Sequence, residues 1–232
     1  MAKLFYVEDD PNLSLVVKET LESAGHEVYH YSDGQEAIKA FKDLEPDLCL
    51  LDIMLPGTDG YTIAQTIRLT DKNIPIIFLS AKAQLEDKLH GLQIGGDDYI
   101  FKPFSVEELL LKIKIFFKRK DAAPSETDKT TKNIEFGKFI FDPRNQTLTS
   151  NGELKNMTLR ETELLKFFLN NKNQLIKREE ILMALWGQDD YFLGRSLDVF
   201  ISRLRKYLAS DDSVQIETVP RVGFRMNLNA GE

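Results

Sequence analysis

Through its first hundred residues the chain alternates two hydrophobic patterns. Short, largely apolar runs at Lys3–Val7, Glu27–Tyr31, Leu48–Leu51, Ile76–Leu79 and Asp98–Phe101 read as strands. Between them, apolar residues recur at spacings of three and four, as in Leu13, Val16, Val17 and Leu21, which is the period of a helix packed on one side. Asp10-Pro11 supplies a capping carboxylate followed by proline at the first helical position, and Gly25 suits the end of that helix. Five strands alternating with five helices predict an α/β unit, a doubly wound parallel sheet covered on both faces.

The pattern breaks at residues 120–132. Small, polar and charged residues without apolar period cannot form a core, so this stretch is expected to be a linker between domains 1–119 and 133–232. Beyond it come strand-like pieces at Ile134–Phe136, Phe139–Phe141 and Thr147–Thr149, with turn residues at Asp142-Pro143 and Asn151-Gly152. Helical patterns follow at about 160–170, 177–186 and 196–208, and a closing ribbon at about 214–228. The expectation is a separate α+β domain.

Composition narrows the function classes. With 232 residues, either domain can bury its own core. No apolar run approaches the roughly 20 residues that span a bilayer, and Met1–Phe5 runs into a strand without a signal peptide's cleavage pattern, so a cytoplasmic, membrane-free protein is expected. Cys49 is the single cysteine, which excludes an internal disulfide and a cysteine zinc site; its apolar surroundings make it a core residue. The net charge is −7, with 20 acidic against 14 basic residues in positions 1–120. Indiscriminate coating of nucleic acid is excluded, but a local basic face is not.

In a parallel sheet, ligands sit beyond the carboxyl ends of the strands. Glu8, Asp9 and Asp10 follow the first strand, Asp52 the third, Ser80 ends the fourth, and Lys102 follows the fifth. Crowded carboxylates repel, and a hard cation such as Mg²⁺ relieves this while taking further ligands from phosphate. A carboxylate beside such a cation is the arrangement expected for aspartyl-phosphate formation, with Lys102 and the Ser80 hydroxyl placed to bind phosphate oxygens. Asp10 alone reads better as a helix cap.

These segments carry a resemblance. Val7-Glu8-Asp9-Asp10, Leu51-Asp52-Ile53-Met54-Leu55-Pro56-Gly57, Leu79-Ser80-Ala81, Gly95-Gly96-Asp97-Asp98-Tyr99 and Lys102-Pro103-Phe104 resemble the receiver domain of two-component response regulators, whose sheet is flavodoxin-like. The resemblance implies that Asp52 accepts phosphate from a sensor histidine kinase. Glu8, Asp9, Asp52 and the Met54 backbone carbonyl would surround Mg²⁺. Ser80 and Tyr99 would form the switch, with serine here where many relatives have threonine. It also implies slow self-dephosphorylation and no enzymatic turnover.

Leu85–Ile94 and Ser105–Lys118 read as helices flanking the fifth strand, with charges of mixed sign. Isolated surface ion pairs contribute about 0–1 kcal/mol each, so by itself this face reads as solvated. Similarity to the winged-helix OmpR/PhoB subfamily implies instead a homodimer face in the phosphorylated state. Matched by position, the pairs are Lys88 with Glu108, Asp98 with Lys112, and Asp97 with Arg119. Lysine at 112 replaces a common arginine and cannot form its bidentate fork.

In Arg195–Leu208, the residues Leu197, Ile201, Leu204 and Leu208 form one apolar stripe, leaving Arg195, Ser202, Arg203 and Lys206 on other faces and Arg205 at the margin. A helix apolar on one side and basic on the other suits the major groove of double-stranded DNA. Thr158–Leu165, Trp186-Gly187 and Thr218–Arg225 resemble the same subfamily's effector domain. The resemblance implies base contact by Arg203, backbone contacts by Arg195, Ser196, Arg205 and Trp186, and a wing over the minor groove carrying Thr218 and Arg221; Trp186 reads more as part of the core than as a pure contact. Phe200 and Ser202 replace residues often His or Arg, and Pro220-Arg221 stands where Arg-Gly is common. The loop Gly187–Gly194 meets RNA polymerase in relatives, making the polymerase a candidate partner.

Two rival readings differ in kind. A phosphohydrolase with Asp52 as nucleophile would need an acid/base aspartate two residues on, where this chain has Met54. A DNA-binding protein with a vestigial receiver would not need the complete acidic set.

Overall fold

The computed structural model describes residues 1–81, 91–92, 94–121, 133–187 and 191–228, with the side chains of 118–121 and 191–195 also outside the description. Two compact units divide it, Met1–Phe116 and Phe117–Glu232.

In the first unit the strands are β1 (Lys3–Val7), β2 (Glu27–Tyr31), β3 (Leu48–Asp52), β4 (Ile76–Ser80) and β5 (Asp98–Phe101), all parallel, in the order β2-β1-β3-β4-β5. Their buried apolar runs reflect cover on both faces, as the unbroken burial of β3 and β4 shows. Cys49 lies in this core, where burial pushes its thiol pKa upward. The helices described are α1 (Pro11–Ser23), α2 (Gly34–Leu44), α3 (Gly60–Thr70) and α4 (Val106–Asp121). Aspartate side chains cap the first three: Asp10, Asp33 and Asp59 accept backbone N–H groups of the first turn. Most of the helix expected at Leu85–Ile94 lies outside the described residues.

Packing is tight around the third strand. A Cβ on Gly60, at the start of α3, would stand 2.1 Å from the Asp52 carbonyl oxygen, so only glycine lets α3 approach β3 this closely.

In the second unit a four-stranded antiparallel sheet comes first: β6 (Ile134–Phe136), β7 (Phe139–Asp142), β8 (Thr147–Ser150) and β9 (Glu153–Asn156). Helices α5 (Leu159–Asn170), α6 (Arg178–Trp186) and α7 (Tyr191–Leu208) follow, and a three-stranded sheet, β10-β12-β11, closes the unit. Its strands are β10 (Leu175–Lys177), β11 (Val214–Val219) and β12 (Gly223–Leu228). This is a winged-helix arrangement.

Three features differ from the hydrophobic pattern. Strand β9 is almost entirely exposed and has no alternation; the Asn151-Gly152 turn folds it back on β8. Strand β10 is three residues long and exists by pairing with β12, where Gly223 lies against the Ile176 carbonyl. Helix α7 starts at Tyr191, so four residues expected in the loop Gly187–Gly194 are helical; residues 188–190 lie outside the description. Among the described residues, no helix is long and apolar enough to cross a membrane.

Candidate functional site

The parallel sheet brings its carboxyl ends together, and the chain reverses there into α1 and α3. Glu8, Asp9 and Asp52 each present a carboxylate oxygen within 4.8 Å of the others. Glu8 and Asp52 are buried while Asp9 is exposed. The Lys102 ammonium enters from the end of β5 and donates to both Glu8 oxygens, at 2.8 and 2.6 Å, and to Asp52 Oδ2 at 2.7 Å. The other Asp52 oxygen accepts the Met54 N–H at 2.9 Å. Residues from three widely separated segments therefore close one polar cluster, with Ser80 buried at the end of the neighbouring strand.

Two carboxylates share one ammonium here, so the cluster holds on to protons. Burial, opposed by the Lys102 hydrogen bonds and reinforced by the Asp52 charge, pushes the Glu8 carboxyl up to about 7. Burial alone would lower the Lys102 pKa, but hydrogen bonds to Asp52 and Glu8 reverse this and raise it. An excess of negative charge at one buried point, with an exposed third carboxylate beside it, is a donor set suited to a hard divalent cation. Asp10 is not part of the set. Its Oδ1 accepts the Asn12 and Leu13 N–H groups as the cap of α1. An open groove of about 520 Å³ adjoins Asp9, lined by Ile53, Met54, Leu55, Pro56, Asp59 and Tyr61.

In the second unit the expected stripe on α7 is buried: Leu197, Ile201, Leu204 and Leu208, joined by Phe200. Asp198, Ser202, Arg205 and Lys206 are exposed. Arg205 ties the helix to β11, donating to the Ile216 carbonyl at 2.8 Å and to Thr218 Oγ1 at 2.7 Å. Arg203 is only partly exposed and pairs at 2.6 Å with Glu161 of α5. Arg221 sits exposed at the ribbon's tip with φ +63°, in a turn whose Val222 N–H donates to the Val219 carbonyl at 3.1 Å. Proline at the second position and a left-handed third position describe a type II turn, which ordinarily places glycine where Arg221 stands.

Both units match known families. Residues 4–114 match the response regulator receiver domain, and residues 152–226 match the family described as transcriptional regulatory protein, C terminal. The transcriptional regulatory protein RprY of Bacteroides fragilis is 39% identical over 224 residues, covering 97% of this chain and 94% of that protein. The phosphate regulon transcriptional regulatory protein PhoB of Pseudomonas aeruginosa is 35% identical over 226 residues, covering 97% and 96%. The chain is a response regulator of the OmpR/PhoB subfamily. Among solved structures, the Thermotoga maritima OmpR/PhoB homolog DrrB matches with a TM-score of 0.52 and 28% identity over 98% of this chain and 99% of that one. The regulator thus joins a receiver to a DNA-binding domain, as a two-component transcription regulator does.

Several residues expected at a surface are buried in this regulator. Asp97 is fully buried and bound inside its own chain: its Oδ2 accepts from Arg68 Nη2 and from the Ile76 N–H, each at 3.0 Å. Arg68 also donates to the Gly95 and Ile74 carbonyls, so this pair locks the segment before β5 to α3. Asp98 and Lys112 are likewise buried, and they pair with each other within one protomer at 3.1 Å. Glu108 is exposed; its expected partner Lys88 and the Arg119 side chain lie outside the described residues.

Trp186 is 3% exposed, lying under the Arg160 guanidinium at 4.6 Å and against Phe200 at 5.9 Å. Ser196 is buried as well. Neither presents a surface to a DNA backbone, because α6 and α7 pack through them. The Arg195 side chain lies outside the described residues. Tyr99 is buried, its ring 6.2 Å from Phe78 and 5.1 Å from Phe101.

Two residues had escaped the sequence reading. Glu161 carried a signal, since Thr158-x-x-Glu161 spells a capping box, and both of its reciprocal bonds are present. Arg68 carried none. Its role depends on a carbonyl and a carboxylate more than 25 residues away.

Proposed function

We propose that this regulator is switched by phosphorylation of Asp52 by a sensor histidine kinase, and that the phosphorylated form dimerises and binds specific DNA sequences. The observation that carries the reading is Lys102 bridging Glu8 and Asp52 beside Asp9. Glu8, Asp9 and Asp52, with the Met54 carbonyl, are the groups that would hold Mg²⁺; when bound, it supplies charge neutralisation for carboxylates and phosphate oxygens together.

An Asp52 oxygen attacks phosphorus in line with the bond to the donor's imidazole nitrogen. The P–N bond breaks, the imidazole leaves with its electron pair and takes a proton from solvent, and an acyl phosphate remains on Asp52. Lys102 exchanges part of its bonding to Glu8 for a phosphoryl oxygen, and the Ser80 hydroxyl takes another. Rearrangement of Ser80 and Tyr99 then biases the α4–β5 face toward a homodimer. Since Asp97 is committed internally, the dimer contact rests on Glu108 and neighbouring exposed groups. Dimerisation places two winged helices on adjacent half-sites, where Arg203 contacts a base edge, Arg205 the backbone, and Thr218 and Arg221 the wing's groove.

The test is labelling with acetyl phosphate and Mg²⁺. The wild-type chain takes up one phosphate and Asp52→Asn none; undiminished labelling of the variant would overturn the choice of acceptor. With a beryllofluoride phosphate mimic, light scattering should report a dimer, and a monomer would remove the dimerisation step.

A further inference from the structure

We propose that Glu161 is a positioning residue for base recognition, holding the Arg203 guanidinium in place at the edge of α7. The proposal rests on the reading that Arg203 contacts a base.

Glu161 is 1% exposed, and a carboxylate so deeply buried is retained only where donors surround it. Its oxygens divide the work. Oε2 accepts the Thr158 N–H at 2.9 Å and the Tyr207 hydroxyl at 3.2 Å. Oε1 accepts Arg203 Nη1 at 2.6 Å. Capping α5 requires only the bond to Thr158, so the pairing with Arg203 goes beyond what the helix end needs. Tyr207 lies one turn beyond Arg203 on α7. Burial, with the Glu161 charge beside it, raises its phenol pKa, so the phenol stays protonated and remains a donor.

Arg203 is fixed from two sides. Its guanidinium carbon stands 5.8 Å from the centre of the Phe200 ring, and Phe200 is itself seated against Trp186. The side chain is still 16% exposed, so part of it reaches the surface from a packed base. An arginine otherwise has many rotamers to lose on binding, and restricting them beforehand lowers that loss at one recognition point. Glu161 lies outside the surface that faces a ligand, so it acts only through Arg203.

The experiment uses the full chain, a duplex selected from a random pool by the wild-type protein, the same duplex with each base pair replaced singly, and an unrelated duplex of equal length. Arg203→Ala should lose roughly tenfold discrimination at one base position, the scale of a single directed base contact. Glu161→Gln should lose most of that discrimination at the same position and leave binding to the unrelated duplex unchanged. The double variant should be no worse than Arg203→Ala. Tyr207→Phe, which deletes one hydroxyl, should give a smaller loss at that position, and it carries the test should Glu161→Gln fail to fold.

If Arg203→Ala costs discrimination but Glu161→Gln does not, the positioning role is overturned and base contact survives. Equal weakening on all duplexes would make Glu161 structural only, and tighter binding by Glu161→Gln would make it a restraint on Arg203; either result overturns the proposal. With Tyr207→Phe as the only folded variant, unchanged discrimination overturns it. If Arg203→Ala changes nothing, base contact itself falls, and positioning with it.

Discussion

The two units place their working groups by different means. In the receiver, Glu8, Asp9, Asp52 and Lys102 stand at strand ends, where a parallel sheet delivers every carboxyl terminus to one edge. In the effector, the working groups stand on a helix and a ribbon, where the side each residue faces depends on what packs against it. Trp186 and Ser196 go inward, Arg203 is shared with α5, and Arg205 is shared with β11. At a strand end successive residues alternate sides, and Glu8 is buried while Asp9 is exposed; on a helix face each residue turns the side chain by about 100°.

The largest expected effect tests whether Trp186 belongs to the packing or to the surface. Trp186→Ala should cost about 4 kcal/mol of stability in urea unfolding, as for other buried aromatic truncations, while the folded fraction keeps its affinity for an unrelated duplex. Unchanged stability with weakened DNA binding would return Trp186 to the DNA contact. Next, Gly60→Ala should cost about 3 kcal/mol, because the new methyl meets the Asp52 carbonyl, and labelling by acetyl phosphate should fall with it. Labelling at the wild-type rate would show that β3 does not depend on the close approach of α3.

A titration probes the charge excess of the pocket. Burial raises the Glu8 carboxyl from its ordinary 4.5 to about 7, so in the cation-free protein the proton is held more tightly folded than unfolded. Its stabilising contribution is complete below pH 4.5 and is lost as pH rises through about 7. Divalent-cation binding runs the other way. Below pH 7 a proton must leave, and Mg²⁺ affinity measured by calorimetry should fall about tenfold per pH unit. An affinity independent of pH between 5 and 7 would remove Glu8 from the ligand set. The smallest effect is at the ribbon's tip. Arg221→Gly should add about 1 kcal/mol of stability by relieving its left-handed backbone, while the slope of log affinity against log salt falls by about one. An unchanged slope would place Arg221 away from phosphate.

Much of this was legible beforehand. The five strands followed from short, largely apolar runs, and the acidic set followed from applying one topological rule to their ends. The α7 stripe was also correct, since helical period alone decides which residues share a face. The charged pairs were less legible. Asp97 and Asp98 looked like groups waiting for a second protomer, yet Arg68 and Lys112 satisfy them within the chain. Strand β9 has no apolar alternation to read, and β10 exists only through its partner β12.

Local period and chain direction set the five receiver strands, the buried stripe of α7 and the groups gathered at the sheet edge; on α1 they left Val16, expected to pack with Leu13, Val17 and Leu21, half exposed. Which charges are consumed in pairing came from the packing of distant segments: Glu161 holds Arg203, Arg68 holds Asp97, and one lysine serves both Glu8 and Asp52. A buried charge takes the partner within reach, and reach is a property of the packed chain, not of spacing along it.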